Sequence, residues 1–149
     1  MARVKYTNAG IDLMARMMRA EAVGEGKLGM LFVGNVIVNR AVADCLDFTD
    51  VRTIQDVIFQ VQGGNYSFEA VQKGSLFYKR ARSVEKRLAK KNLQFWRTHP
   101  AKYALWYLTL MPLALKVGMV NPLPAVIKVI VFMNHRLERA QVFINRNFA

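Results

Sequence analysis

The spacing of apolar positions changes several times along the chain, and each change predicts an element. From Ile11 to Ala22, Met14, Met17 and Met18 recur at helical spacing while Arg16 and Arg19 fall elsewhere, which predicts an amphipathic helix. Gly24 and Gly26 then punctuate the chain. Leu28 to Arg40 reads as a second, more buried helix through Leu31, Phe32, Val36 and Ile37; its β-branched residues leave a strand as the alternative. Thr53 with Asp56 three residues on has the spacing of a helix cap, and Ile54, Val57 and Ile58 give the short helix behind it an apolar side that ends near Gln60. Gly63, Gly64 and Asn65 predict a loop, Ser67 a cap for a turn carrying Phe68 and Val71, and Gly74 its close.

Ser75 to Lys91 reads as one highly charged helix with Lys79, Arg80, Arg82, Lys86, Arg87, Lys90 and Lys91, anchored by Leu76 and Leu88. A solvated outer face is favoured over a binding surface. Pro100 starts a segment with Tyr103, Leu105, Trp106 and Tyr107, either a helix begun by proline or an aromatic strand. Val117 to Met133 reads as an irregular helix broken by Asn121, Pro122 and Pro124.

Length and composition narrow the class. At 149 residues, 53% hydrophobic and 21% charged, the chain fits one folded domain. No stretch approaches the roughly 20 apolar residues of a spanning helix, and Met1 to Gly10 lacks the apolar core of a secretory signal. Cys45 stands alone, which excludes an intrachain disulfide and reads as a small apolar side chain. The net charge of +12, of which residues 107–149 carry +4, implies attraction to a polyanion without naming it.

Candidate chemistry centres on Glu21. It lies four residues after Met17 and three after Met18, so a helix sets its carboxyl on the methionine stripe. Desolvation there disfavours the carboxylate and keeps a proton available, as a general acid for glycosidic cleavage requires. Spacing alone favours the blander alternative, a helix-end glutamate swung into solvent. Glu25, between two glycines, supports a loop, binds substrate or is simply exposed, exposure being favoured. Asp44, Asp47 and Asp50 lack the pattern of a calcium loop, and His99 and His135 have no partners at zinc-site spacing. The basic helix with Phe77 and Tyr78 carries no recognised nucleic-acid motif, so only nonspecific binding is expected there.

A longer pattern changes the weighting. Ala15-Arg16-Met17-Met18-Arg19-Ala20-Glu21-Ala22-Val23-Gly24-Glu25-Gly26 is followed by Gly29-Met30, Val33-Gly34-Asn35-Val36 and Asn39-Arg40. Then come Cys45, Asp47-Phe48, Arg52-Thr53-Ile54, Ile58, Gln60, Phe68-Glu69-Ala70-Val71, Tyr78, Arg80-Ala81-Arg82, Pro100-Ala101-Lys102 and Leu105-Trp106-Tyr107. Over about 100 residues this resembles the CwlJ/SleB cell-wall hydrolases. With neither a signal peptide nor a peptidoglycan-binding repeat, it is nearer the CwlJ branch.

The resemblance implies an α+β, mainly α, lysozyme- or lytic-transglycosylase-like catalytic domain at residues 1–107. It also implies cleavage of cortex peptidoglycan in the spore coat and cortex region during germination. Glu21 corresponds to the family's catalytic glutamate, protonating the glycosidic oxygen and, in a transglycosylase, then accepting a proton from the sugar's C6 hydroxyl. Gln60, Phe68, Glu69 and Glu25 become substrate-binding candidates, with structural roles equally open. No cofactor or metal is required; calcium dipicolinate is implied as an effector and a spore-coat protein as an anchor. The alternative is a non-catalytic basic module that adheres to spore or wall polymer, an inactive truncated enzyme included.

After Tyr107 the resemblance stops, and residues 108–149 form an aberrant apolar and basic tail. Permitted codons for Leu108 to Arg136, read in a shifted frame, yield NPYAPCPESWYGQPFTCRYKGHCFYEPS, which resembles the family's missing end. The single codon of methionine fixes three of those letters, and all three fit. The expectation is therefore a reading-frame change after Tyr107, with the activity of this chain in doubt because a glycan cleft needs walls as well as an acid.

Overall fold

The computed structural model describes residues 2–43, 46–98, 102–110, 129–133 and 141–144. Cys45, Asp44, His99, Pro100, His135 and the stretch 111–128 lie outside the described residues. Among the described residues the architecture is mainly α with two small antiparallel sheets, in line with the expected class.

Helix α1 (Asn8–Ala22) starts where the Thr7 hydroxyl accepts the Gly10 N–H at 3.1 Å. Its methionine stripe is wholly enclosed: Met14, Met17 and Met18 are fully buried. Each such side chain contributes about 1.5–3 kcal/mol of transfer free energy. A 3₁₀ turn at Val23–Glu25 leads into α2 (Gly26–Val42), helix rather than strand, in which every residue from Gly29 to Ala41 is buried. A helix enclosed on all sides is the central element of a core, and α1 and α6 (Ser83–Gln94) pack on it.

That central helix carries buried polar residues, whose polar partners come from distant segments of the chain. The Arg3 guanidinium donates to Asn35 Oδ1 and Asn39 Oδ1, both at 2.7 Å, and Asn39 Nδ2 donates to the Ala104 carbonyl at 2.8 Å. Burial, then the nearby Arg97 charge, depress Arg3 to about 10. Asn92 of α6, fully buried, donates to the Leu31 carbonyl at 3.0 Å. Gly34 permits this close approach, because a Cβ there would lie 2.3 Å from Asn92 Oδ1.

After a second 3₁₀ turn at Leu46–Phe48, the Thr53–Asp56 signal becomes a reciprocal capping box on α3 (Ile54–Ile58). The expected glycine loop is the tip of a hairpin, β1 (Val61–Gln62) with β2 (Asn65–Tyr66), turned by Gly63 and Gly64 at φ 59° and 82°. Ser67 does not cap the next helix. Phe68 occupies that position for α4 (Glu69–Gln72), and the Ser67 hydroxyl donates to Gln62 Oε1 at 3.0 Å.

The charged segment expected as one helix is two, α5 (Ser75–Tyr78) and α6. The chain is extended at Lys79 and Arg82, where the Glu85 side chain accepts the Arg82 N–H at 2.8 Å and starts α6 afresh. Local capping overrides the continuous run of helix-forming residues.

The aromatic segment resolves as strand β3 (Trp106–Leu110), which pairs antiparallel with β4 (Val129–Met133); β5 (Gln141–Ile144) completes the sheet. Residues 129–133, expected at the end of an irregular helix, are thus a strand, where a run of β-branched and aromatic residues pairs well. Trp106 packs on Phe48 with ring centroids 5.5 Å apart, which ties β3 to the helical core.

Candidate active site

Glu21 sits in the last turn of α1, half-buried beside Met17 and Met18. Both carboxylate oxygens have a donor. Oε1 accepts the Ala70 N–H at 2.9 Å from the first turn of α4, and Oε2 accepts the Tyr107 hydroxyl at 2.8 Å from β3. Two chain segments, 49 and 86 residues from Glu21 in sequence, thereby converge on its carboxyl. Ala20, Glu21, Glu69, Ala70, Lys73 and Ser75 line an open pocket of about 200 Å3 there.

The tyrosine is tuned as a donor. Burial, then the charge of Glu21 and the hydrogen bond to it, push the Tyr107 hydroxyl well above its ordinary value, with Arg40 pulling the other way. It therefore keeps its proton throughout the neutral range.

Arg40, from the last turns of α2, lies behind this pair at 5% exposure. Its Nε donates to the Leu105 carbonyl at 2.7 Å, two residues before Tyr107. The guanidinium lies 4.7 Å from the ring centroid of Phe68 and 5.2 Å from that of Phe48, and one Nη has no hydrogen-bond partner. Burial depresses it to about 10, opposed by the electrostatic influence of Tyr107 and Glu21. A cation so enclosed, with no carboxylate bonded to it among the described residues, acts electrostatically on the Tyr107–Glu21 pair.

Of the residues singled out from sequence, Glu21 and Glu69 line the pocket together. Glu69, largely exposed, is ion-paired with Lys73. The other three candidates turn to the scaffold. Gln60 donates to the Asp47 carbonyl at 2.8 Å and so braces the 3₁₀ turn, because the chain end of α3 is held there. Phe68 is buried at 2% and supports Arg40 from below. Glu25, expected exposed, is buried at 6% where α2 begins, its Cβ so near Gly29 that a Cβ on that glycine would lie 2.2 Å away. Sequence reasoning assigned no role to Tyr107, Arg40 or Ala70. All three lie inside the quoted motifs, so the signal was present but carried no geometry.

Residues 24–113 match the Cell Wall Hydrolase family, and the chain belongs to it. Its curated relatives include proteins called cell wall hydrolase CwlJ. That of Halalkalibacterium halodurans is 54% identical and that of Bacillus subtilis 52%, each over 72% of this chain and 72% of the relative. That of Oceanobacillus iheyensis is 53% identical over 72% of this chain and 73% of the relative. Among solved structures, the catalytic domain of the germination-specific lytic transglycosylase SleB from Bacillus anthracis superposes with a TM-score of 0.55 at 26% identity, covering 69% of this chain and 75% of that one. The catalytic domain of Bacillus cereus SleB shares the fold, with a TM-score of 0.56 at 19% identity over 97% of this chain and 96% of that one. The chain is a cell wall hydrolase by family, and no helix among its described residues is long and apolar enough to cross a membrane.

Proposed function

We propose that this chain cleaves the glycan strands of spore-cortex peptidoglycan during germination, with Glu21 as general acid and then general base. The observation that carries the reading is the Glu21 carboxyl at the pocket, held by the Ala70 N–H and the Tyr107 hydroxyl. In the first step protonated Glu21 gives its proton to the bridging oxygen between muramic acid and glucosamine as the C1–O bond breaks. In the second, the carboxylate takes the C6 hydroxyl proton while that oxygen bonds to C1, which closes an anhydro ring and restores the acid. In a hydrolytic course, water takes the place of the C6 hydroxyl.

One carboxyl suffices for the anhydro course. The other carboxylate in the pocket, Glu69, is engaged by Lys73. The likeness to three cell wall hydrolases and to a germination-specific lytic transglycosylase supports the substrate class, the germination setting and the cleavage chemistry. A spore-coat anchor and a calcium dipicolinate effector belong to the same proposal. So does a catalytic segment at residues 1–107 followed by a frame-shifted tail.

The test compares four chains on purified cortex fragments, with muropeptides read by mass spectrometry: the chain itself, its Glu21→Gln variant, a frame-restored form and that form carrying Glu21→Gln. Anhydro-muramic products that disappear with Glu21→Gln are expected, whereas equal turnover by a restored Glu21→Gln chain rejects the assignment. A second reading, adhesion without cleavage, is favoured by the exposed Arg87, Lys90 and Lys91 of α6. It predicts salt-sensitive sedimentation with cortex and no products.

A further inference from the structure

A glycan strand is longer than a pocket of about 200 Å3 can hold, so the sugars on either side of the cut lie on neighbouring surface. The wall nearest Glu21 is continuous in sequence. Ala70, whose N–H holds Glu21, accepts the Ser75 hydroxyl on its carbonyl at 3.3 Å, and Ser75 both lines the pocket and opens α5. Two residues further, Phe77 is 63% exposed. Its ring lies within 18° of parallel to that of Phe59, 38% exposed at the end of α3, with centroids 6.5 Å apart.

Core packing does not explain the pair. Leu76 already anchors α5, at 1% exposure, and Val57 and Ile58 anchor α3. Phe77, largely in water two residues beyond Ser75 of the pocket wall, and the part-exposed Phe59 stacked on it cost hydrophobic free energy that a ligand would return. The two part-exposed rings by themselves offer far less than the about 800 Å2 on each side that a stable protein partner needs. It suits a flat, ring-sized occupant. A pyranose presents a face of C–H groups, slightly positive, to the negative face of an aromatic ring, while its hydroxyl rim stays in water.

We propose that Phe59 and Phe77 form a sugar-stacking subsite adjoining the Glu21 pocket, which holds a hexosamine ring of the glycan strand next to the bond being cut. This rests on the reading of that pocket as glycan-cleaving. The subsite binds in the ground state and takes no part in proton transfer.

The test measures binding of the full-length chain, and of its Phe77→Ala, Phe59→Ala and Phe77→Trp variants, to peptide-stripped glycan strands by co-sedimentation. Thermal melts run alongside, and product formation is read on intact cortex. Either alanine change is expected to weaken binding about fivefold or more, with melting unchanged for Phe77→Ala because that ring is 63% exposed; Phe77→Trp retains or tightens binding. Phe77→Ala and Phe59→Ala chains that bind like the parent, while the parent makes Glu21-dependent products, overturn the subsite alone. A parent that neither binds glycan nor cleaves cortex overturns both the subsite and the function beneath it.

Discussion

Arg40→Met separates a buried charge that serves stability from one that serves the site. Lowering the Arg40 guanidinium from its ordinary value to about 10 corresponds to about 3 kcal/mol against the charged form in the folded chain. Against this stand the hydrogen bond to the Leu105 carbonyl, about 1.5–3 kcal/mol for a charged donor, and the contacts with Phe48 and Phe68, together about 1–2 kcal/mol. The terms nearly cancel. Methionine fills much of the same space and keeps a favourable sulfur contact with the two rings, but leaves the carbonyl without its donor, at about 1–3 kcal/mol.

The expected change in stability is therefore a loss of no more than about 2 kcal/mol, measured by urea unfolding. Turnover should suffer far more, by about tenfold or greater, because the Tyr107–Glu21 pair loses its neighbouring positive charge. Arg40→Lys, which keeps the charge but not the bidentate shape, should recover part of the rate. The reasoning is refuted by an Arg40→Met chain that is fully active. A stability loss above about 4 kcal/mol would equally refute it, since the cation would then be a structural keystone.

Tyr107→Phe removes one of the two donors to Glu21 and should lower turnover by about 10- to 100-fold with little change in melting; an unchanged rate would show that the hydroxyl is idle. Gly34→Ala drives a Cβ to 2.3 Å from Asn92 Oδ1 and 3.0 Å from Met18 Sδ, and overpacking should cost about 1–3 kcal/mol in a denaturant melt, whereas wild-type stability would mean that α2 and α6 can separate freely. The Glu85 carboxyl is held below its ordinary value, chiefly by the Arg82 guanidinium, so its stabilising contribution is complete above about pH 4.3 and is lost as pH falls through the folded-state value. Glu85→Gln should flatten the acid limb of melting temperature against pH, and an unaltered limb would contradict this. Sequencing the coding DNA tests the frame change: codons from Leu108 onward that cannot yield the shifted string dispose of it.

The periodic stretches were legible because their pattern is local. The Met14, Met17 and Met18 stripe foretold α1 and its buried face, and the Thr53–Asp56 spacing foretold a capping box, since both depend on residues within one or two helical turns. Where a local device competed with composition, composition misled. Glu85 restarted a helix that the run of Lys and Arg made look continuous, and Phe68 took the capping position that Ser67 suggested.

By itself the sequence determined the amphipathic helices, the candidate acid and the family, each of which rests on residue types at fixed spacing along the chain. Tertiary structure decided what surrounds that acid. Tyr107 and Ala70 reach Glu21 across 86 and 49 residues, Arg40 is enclosed behind them, and Gln60, Phe68 and Glu25 turn to the scaffold. No spacing rule encodes these outcomes, because each depends on which helix faces pack together and on which polar groups that packing leaves to be satisfied.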